Sequence, residues 1–173
     1  VTDRLQAGTG APHFVRTAVN PYRELRGSLL PRQITSSALD SANLATTSKL
    51  ILIELGLLNE DNSAALVSYL QRGGGAIWFL DGEMDPANIR NLNIALGDEE
   101  DLPLQLLDWQ PIESIPDGIQ KLAKGNFKSE FLRLFRGANR QNLGLLTFSK
   151  YRQATASDDT AILLSYADGT PAL

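Results

Sequence analysis

Two apolar runs in the centre of the chain form its clearest hydrophobic pattern. Residues 50–55 and 76–80 are almost continuously apolar, which is typical of strands covered on both faces of a parallel sheet. Between them, Leu66, Val67 and Leu70 recur at helical spacing and form one apolar face. A strand, a helix and a second strand in this order predict a βαβ unit with a right-handed crossover.

Capping residues and glycines mark the ends of the helices around these strands. Residues 59–62 supply N-cap side chains for the first helix, and glycines 73–75 end it. Asp85 is predicted as the N-cap of a second helix, with Pro86 at its first position and Gly97 at its end. The glycine run closes a helix and enters a strand, whereas phosphate-binding loops leave a strand and open a helix. We therefore predict a structural role for these glycines.

The remaining elements are shorter and less regular. Helices are predicted at 12–19, 41–46 and 128–135, and short strands at 32–36, within 102–112, at 143–148 and at 160–166. The last two strands, separated by polar residues, are predicted to pair antiparallel at a sheet edge. The fold class predicted from the whole pattern is α/β, a three-layer sandwich with a mainly parallel central sheet, in a single domain spanning residues 1–173.

The composition excludes several kinds of site. The 173 residues include no cysteine and one histidine, His13, so cysteine nucleophiles and the usual cysteine and histidine zinc sites are excluded. The chain has no Gly-x-Ser-x-Gly turn, and a serine without a paired base is a weak nucleophile. A mechanism based on two carboxylates stays open, although no spacing singles out a pair among the 20 acids. We predict a non-enzymatic domain without a cofactor.

Charge is unevenly distributed along the chain, whose formal net charge is -4. Residues 81–117 hold ten acids and one base, and residues 118–152 hold eight bases and one acid. The two stretches either face each other or are both solvated. The basic stretch lacks the interleaved aromatic side chains of a stacking platform, and the whole chain is acidic, so no nucleic-acid partner is predicted.

Four carboxylates near the predicted strand ends form the strongest candidate for a ligand site. Asp81, Glu83 and Asp85 follow the second strand, and Glu54 lies near the end of the first. Ligands of parallel α/β sheets bind at the carboxyl ends of the strands, and carboxylates there can hold Mg²⁺ or Ca²⁺. In the alternative that we favour, Asp81 and Asp85 cap a turn and a helix and Glu83 is solvated. No resident metal is predicted.

The two tryptophans differ in their surroundings. Trp78 lies inside an apolar strand and is predicted to be core. Trp109 lies in a polar connection, and aromatic side chains are enriched at interfaces. Trp109 is therefore our candidate for contact with a partner.

Four stretches carry a resemblance to a known family. Residues 49–55 read Lys-Leu-Ile-Leu-Ile-Glu-Leu, 64–70 read Ala-Ala-Leu-Val-Ser-Tyr-Leu, 73–80 read Gly-Gly-Gly-Ala-Ile-Trp-Phe-Leu, and 168–173 read Asp-Gly-Thr-Pro-Ala-Leu. This pattern resembles the class I glutamine amidotransferase-like family, in the degenerate form of BatA-type bacterial membrane proteins, which often carry a von Willebrand factor A domain. The resemblance implies a flavodoxin-like scaffold. It carries over no catalytic residue, because residues 80–83 read Leu-Asp-Gly-Glu where the family has its cysteine turn.

The resemblance also implies a location on the extracytoplasmic side of a bacterial membrane. Such domains are tethered by transmembrane helices, and no apolar run here approaches the ~18 residues of a span. We therefore expect a fragment of a membrane-anchored protein, with the membrane segments outside this sequence. Our first hypothesis is a non-catalytic interaction or scaffolding domain with protein partners. The alternatives are a small-ligand or divalent-cation binding domain and a hydrolase of unrecognised mechanism.

Overall fold

A computed structural model describes residues 1–3, 10–20, 31–80, 82–97, 102–110, 120–148 and 150–173. The chain divides into two compact units, Val1–Asp101 and Leu102–Leu173. The single domain predicted from the sequence stays a prediction. No helix in these ranges is both long enough and apolar enough to cross a membrane.

The first unit contains four α-helices, one 3₁₀ helix and two strands among its described residues. In chain order they are α1 (Ala11–Val19), a 3₁₀ helix (Ser36–Ala38), α2 (Ser41–Ala45), β1 (Lys49–Ile53), α3 (Glu60–Gln71), β2 (Gly75–Phe79) and α4 (Asp85–Leu96). The predicted strand at 32–36 is wrong, since this stretch has no regular structure before the 3₁₀ helix begins at Ser36.

β1 and β2 are adjacent parallel strands, as the βαβ prediction requires. Their register runs from Lys49 opposite Gly75 to Ile53 opposite Phe79. α3 connects them and packs against α2 and α4. The core of this unit contains buried apolar side chains from β1, α3, α4 and the segments between them: Leu39, Leu44, Leu50, Leu52, Ile53, Leu55, Leu58, Ala65, Leu66, Val67, Tyr69, Ile89 and Leu92.

The ends of α3 follow from its sequence. The Asn59 side chain accepts a hydrogen bond from Asn62 N at 2.8 Å, which satisfies one of the free N–H groups of the first turn. Glu60 and Asp61 lie in that turn, where negative charge is stabilised by the helix dipole. At the other end Gly73 has a φ of 87°, a left-handed conformation that favours glycine after a helix.

The described residues of the second unit form small antiparallel sheets and one short α-helix. Its elements are β3 (Leu104–Gln110), β4 (Gln120–Gly125), two 3₁₀ helices (Glu130–Phe135 and Gly137–Asn139), α5 (Arg140–Gly144), β5 (Thr147–Phe148), β6 (Tyr151–Ala156) and β7 (Leu164–Tyr166). β3 pairs with β6, and β4 lies between β5 and β7. A cluster of Leu132, Leu143 and Leu164 forms the buried core.

The predicted three-layer sandwich with a mainly parallel central sheet is wrong. Within the described residues only β1 and β2 pair in parallel, and the other pairs are antiparallel and belong to small sheets. The physical reason lies in the strand sequences. β3 and β4 mix polar and apolar residues, which suits antiparallel strands with one solvated face and not strands buried in a parallel sheet.

Three details of the second unit also differ from the predictions. The strands predicted at 143–148 and 160–166 exist in part as β5 and β7, but each pairs with β4 and not with the other. Polar residues 153–156, predicted as a separator, belong to strand β6. The predicted helix 128–135 is a 3₁₀ helix that begins at Glu130.

Candidate functional site

The structure describes three of the four carboxylates predicted near the strand ends. Glu54 directly follows β1 and is half-buried, Glu83 is exposed, and Asp85 is fully buried. Asp81 lies outside the described residues. No group of three potential metal-ligating His, Cys, Asp or Glu side chains occurs among the residues that the structure describes.

Asp85 has a local role at the start of α4. Its Oδ2 accepts a hydrogen bond from Gly82 N at 2.8 Å. The predicted capping pattern is displaced by one residue, because Met84 is the N-cap and Asp85 is the first helical residue. Its charge lies in the first turn, where the helix dipole stabilises a carboxylate.

Asparagine side chains hold the loop that follows β1. Asn88 in α4 is buried, and its Oδ1 accepts from Leu58 N at 2.8 Å while its Nδ2 donates to Gly56 O at 2.9 Å. Asn91 donates to Leu58 O at 2.8 Å. Buried backbone groups need such partners, so α4 fixes the loop at the carboxyl end of β1.

Asp3 holds the same loop from the other side. Its Oδ1 accepts from Ser36 N at 3.0 Å and its Oδ2 from Gly56 N at 2.5 Å. Burial acts to raise the pKa of Asp3, but hydrogen bonds from Ser36 and Gly56 outweigh burial and lower the pKa below its ordinary value. The polar groups at this end of β1 thus bind one another and the backbone.

The segment 1–3 covers the edge of β1 that faces away from β2. The Val1 nitrogen donates to Ile51 O at 2.6 Å, and Ile53 N donates to Val1 O at 3.1 Å. Thr2 N donates to Ile34 O at 2.9 Å. β1 therefore has hydrogen-bond partners along both of its edges.

β2 is more exposed than the sequence predicted. Ile77 and Phe79 keep 52% and 45% of their surface exposed, although β2 was predicted to be buried. Trp78, predicted as core, is half-buried, and its Nε1 is buried without a hydrogen-bond partner. In the described residues no strand pairs with the edge of β2 that faces away from β1.

The exposed positions of β2 lie beside positions of β1 that are buried or half-buried. Ile77 and Phe79 are aligned with Ile51 and Ile53, and aligned residues of paired strands share a face. Ile51 and Ile53 line a small cleft of about 90 Å³ together with Pro12, Val15 and Val19 at or near α1. α1 thus lies over the β1 part of this sheet face. We call Ile77, Phe79 and the unpaired edge of β2 the β2 surface.

Opposite charges flank the β2 surface. Arg72 precedes the strand and is exposed. Lys49 lies against the start of β2, since a Cβ at Gly75 would come within 2.7 Å of its Nζ. Glu83 follows the strand and is exposed. The strand between them, Gly-Ala-Ile-Trp-Phe, has no charge and no proline.

Two cations cover the ring of Trp109 in the second unit. Lys150 Nζ lies 4.1 Å and the Arg152 guanidinium carbon 4.4 Å from the ring centroid, which are cation–π distances. Arg152 Nε and Nη1 are buried and have no hydrogen-bond partner. Trp109 is half-buried, and its predicted contact with a partner stays a prediction.

Asp168 and Tyr151 join the end of β7 to β6. Tyr151 Oη donates to Asp168 Oδ2 at 2.5 Å, and Thr170 N donates to Asp168 Oδ1 at 2.9 Å. Burial and the bond to Asp168 raise the pKa of Tyr151. Burial acts to raise the pKa of Asp168, but the bonds from Tyr151 and Thr170 outweigh it and lower that pKa. The Asp-Gly-Thr-Pro phrase thus forms a turn.

The chain matches no protein-family model, no curated protein and no solved structure. The resemblance to the amidotransferase-like family therefore stays a prediction.

Sequence reasoning missed Asp3, Asn88 and the exposure of β2. For Asn88 a signal was present, because it lies next to Ile89 and four residues before Leu92, on the apolar side of the predicted helix. A polar residue among apolar ones on such a face indicates a buried hydrogen bond. The exposure of Ile77 and Phe79 had no signal in the strand itself, because it depends on which segments pack beside it.

Proposed function

We propose that this chain is a non-catalytic interaction domain that associates with a second copy of itself through the β2 surface. The observation that supports the proposal is that no described strand pairs with the outer edge of β2, beside which Ile77 and Phe79 are exposed. An unpaired edge presents free N–H and C=O groups that form hydrogen bonds with an added strand. Burial of the two apolar side chains adds a hydrophobic contribution.

The sequence of β2 lacks the features that prevent edge pairing. Natural edge strands are protected by lysine, proline, bulges or inward-pointing charges. β2 is uncharged, contains no proline and pairs with β1 in a regular register. A strand of this kind is suited to pairing with another strand, and this favours an interaction role.

The charges at the ends of β2 favour a second copy in antiparallel orientation. Arg72 precedes Ile77 by five positions, and Glu83 follows Ile77 by six. A two-fold axis near Ile77 would bring Arg72 of one copy towards Glu83 of the other. Parallel pairing would place like charges together, which is unfavourable. A two-fold arrangement is also the commonest symmetry of homo-oligomers.

We expect the association to be weak. Stable interfaces bury about 1,200–2,000 Å² in total, and one five-residue strand with two apolar side chains provides less than that. A dissociation constant above about 1 μM is therefore expected. Such an affinity suits assembly at high local concentration, as on a membrane.

Sedimentation velocity across a protein concentration range from about 5 to about 500 μM tests the proposal. We expect the sedimentation coefficient of the wild type to rise with concentration. The coefficient of Ile77→Lys should stay at the monomer value, because a lysine on this face opposes burial. The matched control is Ile94→Lys, at an exposed apolar position of α4. A wild type that stays monomeric throughout, or an equal loss in the control, would contradict the proposal.

A charge exchange tests the antiparallel orientation. Arg72→Glu alone should weaken the association about threefold to tenfold, and Arg72→Glu with Glu83→Arg should restore it. The Arg72 side chain is exposed and bonds only to Ser68 Oγ among the contacts described, so the folded state should tolerate its replacement. A double variant as weak as the single one would exclude this orientation.

We further propose an extracytoplasmic location at a bacterial membrane. This part of the proposal rests on the family resemblance alone. Accessibility of a cysteine introduced at Ile94 to a membrane-impermeant reagent, in cells that express the full-length protein, tests it. Labelling only after cell lysis would contradict it.

A further inference from the structure

The 3₁₀ helix Glu130–Phe135 has three distinct faces. Residues three apart share a face in such a helix. Leu132 and Phe135 face the core, and Glu130 and Arg133 form an ion-paired face at 3.8 Å. The third face consists of Phe131 and Leu134, which keep 80% and 74% of their surface exposed.

More exposed apolar side chains lie in the neighbouring element. α5 packs against this 3₁₀ helix, and Leu145 and Leu146, which directly follow α5, are both exposed. Scattered exposed apolar residues are ordinary, whereas a group of them indicates a binding surface.

Basic side chains occur in this 3₁₀ helix and in the elements and connections next to it in the chain. Lys124, Lys128, Arg133 and Arg140 are all exposed. Glu130 is the only acid from residue 118 to residue 152. Its carboxylate is bound by Arg136 at 2.9 Å. Along residues 118–152 the basic residues thus outnumber the acids eight to one.

A cleft with a basic rim and an apolar floor opens in the same part of the unit. It has a volume of about 240 Å³. Lys124 and Arg140 are the charged residues among its described lining, which includes no acid. The Arg140 guanidinium carbon lies 4.6 Å from the centroid of the Phe127 ring, and Phe127 also lines the cleft. The arrangement offers cations to a phosphate and an apolar wall to an acyl chain or glycerol backbone.

We propose that this surface binds an anionic phospholipid bilayer, with Phe131 and Leu134 inserted among the headgroups and Lys124 and Arg140 against the phosphates. Phe131 and Leu134 are 80% and 74% exposed, so they project from the fold and do not line a groove. Projecting side chains suit insertion into a lipid headgroup region better than binding to a protein of complementary shape. Apolar insertion combined with basic residues is the way in which peripheral proteins bind anionic membranes. Membrane contact by this unit differs from the sequence expectation, which assigned such contact to segments outside this chain.

Co-sedimentation with lipid vesicles tests the proposal. We expect the chain to bind vesicles of phosphatidylcholine with about 30 mol% phosphatidylserine at least tenfold more strongly than pure phosphatidylcholine. Raising the salt from about 0.1 M to about 0.5 M should weaken the binding, because salt screens exposed charges. Equal binding to both kinds of vesicle, or no binding to either, would overturn the proposal.

Two variants distinguish insertion of Phe131 and Leu134 from non-specific binding of exposed apolar side chains. Phe131→Ser with Leu134→Ser should reduce vesicle binding at least tenfold, with an unchanged circular dichroism spectrum. Ile94→Ser is the matched control, since Ile94 is 79% exposed in the first unit, and it should bind like the wild type. Equal losses in both variants would overturn the proposal.

Two further probes distinguish a bilayer from other anions. Lys124→Gln should reduce binding to the phosphatidylserine vesicles about threefold or more, because each basic residue near an anionic surface contributes. Inorganic phosphate and polyglutamate supply charge without a bilayer. Millimolar phosphate that displaces the vesicles would identify a phosphate site, and polyglutamate that competes equally well would identify an acidic protein as the partner; either result overturns the proposal.

Discussion

β1 and β2 are adjacent parallel strands of five residues each, and yet they differ in how the protein covers them. β1 is hydrogen-bonded on one side to β2 and on the other to the segment 1–3. Its side chains are buried or half-buried except for Lys49. β2 has a partner on one side in the described residues, and Ile77 and Phe79 are exposed.

The difference shows that an apolar run predicts a strand but does not predict which segments pack against that strand. Apart from Lys49, neither strand contains a charged residue, and both are rich in apolar residues that favour strands. What distinguishes β1 is contributed by distant parts of the chain, namely α1 and the segment 1–3. Among the residues that the structure describes, no strand pairs with β2 on its other edge, and Ile77 stays exposed.

The largest expected effect comes from truncating one core residue in β1. Leu52 is 1% exposed, and Leu52→Ala should lower the free energy of unfolding by about 2–5 kcal/mol because it leaves a cavity. Phe79→Ala in β2 should cost about 1–2 kcal/mol, since nearly half of that residue is already exposed. Urea unfolding measures both. Equal losses would show that the two strands are equally buried in solution.

An intermediate effect is expected at the loop that α4 holds behind β1. Asn88→Ala should lower the free energy of unfolding by about 2–3 kcal/mol, because Leu58 N–H and Gly56 C=O lose their partner. Asn91→Ala, which removes one bond to Leu58 O from a half-buried position, should cost about 1 kcal/mol. Losses of the same size in thermal or urea unfolding would contradict the role given to Asn88.

The smallest effect concerns the segment that covers the β1 edge, and it depends on pH. The folded-state pKa of Asp3 lies below its unfolded value, so its stabilising contribution is present above the unfolded pKa and is lost as pH falls through the folded pKa. Asp3→Asn removes this contribution. The stability difference between wild type and variant should therefore be largest near neutral pH and shrink below about pH 4. A stability difference between wild type and Asp3→Asn that stays constant down to about pH 2 would contradict the lowered pKa of Asp3.

Much of the local structure could be predicted from the sequence, and the architecture could not. β1, α3 and β2 follow from apolar runs, from Asn59 at a helix start and from Gly73 at a helix end, all of which act over a few residues. The pairing of β3 with β6 joins Leu104 to Ala156 across a long stretch of chain. No periodicity within either strand specifies such a partner.

The site was harder to predict for the same reason. The local role of Asp85 follows from its position before Pro86 at a helix start. The role of Asp3 depends on Ser36 and Gly56, which are brought to it only by folding. The β2 surface depends on what is placed beside Ile77, and that is a property of the whole unit.

The placement of the two tryptophans has a practical consequence for spectroscopy. Trp78 belongs to the first unit and Trp109 to the second, and the chain contains no others. Replacing either one by Phe leaves a single tryptophan, whose fluorescence reports on one unit alone. Superimposable denaturation curves from the two variants would mean that the units melt as one cooperative body, and separated curves would give each unit its own midpoint.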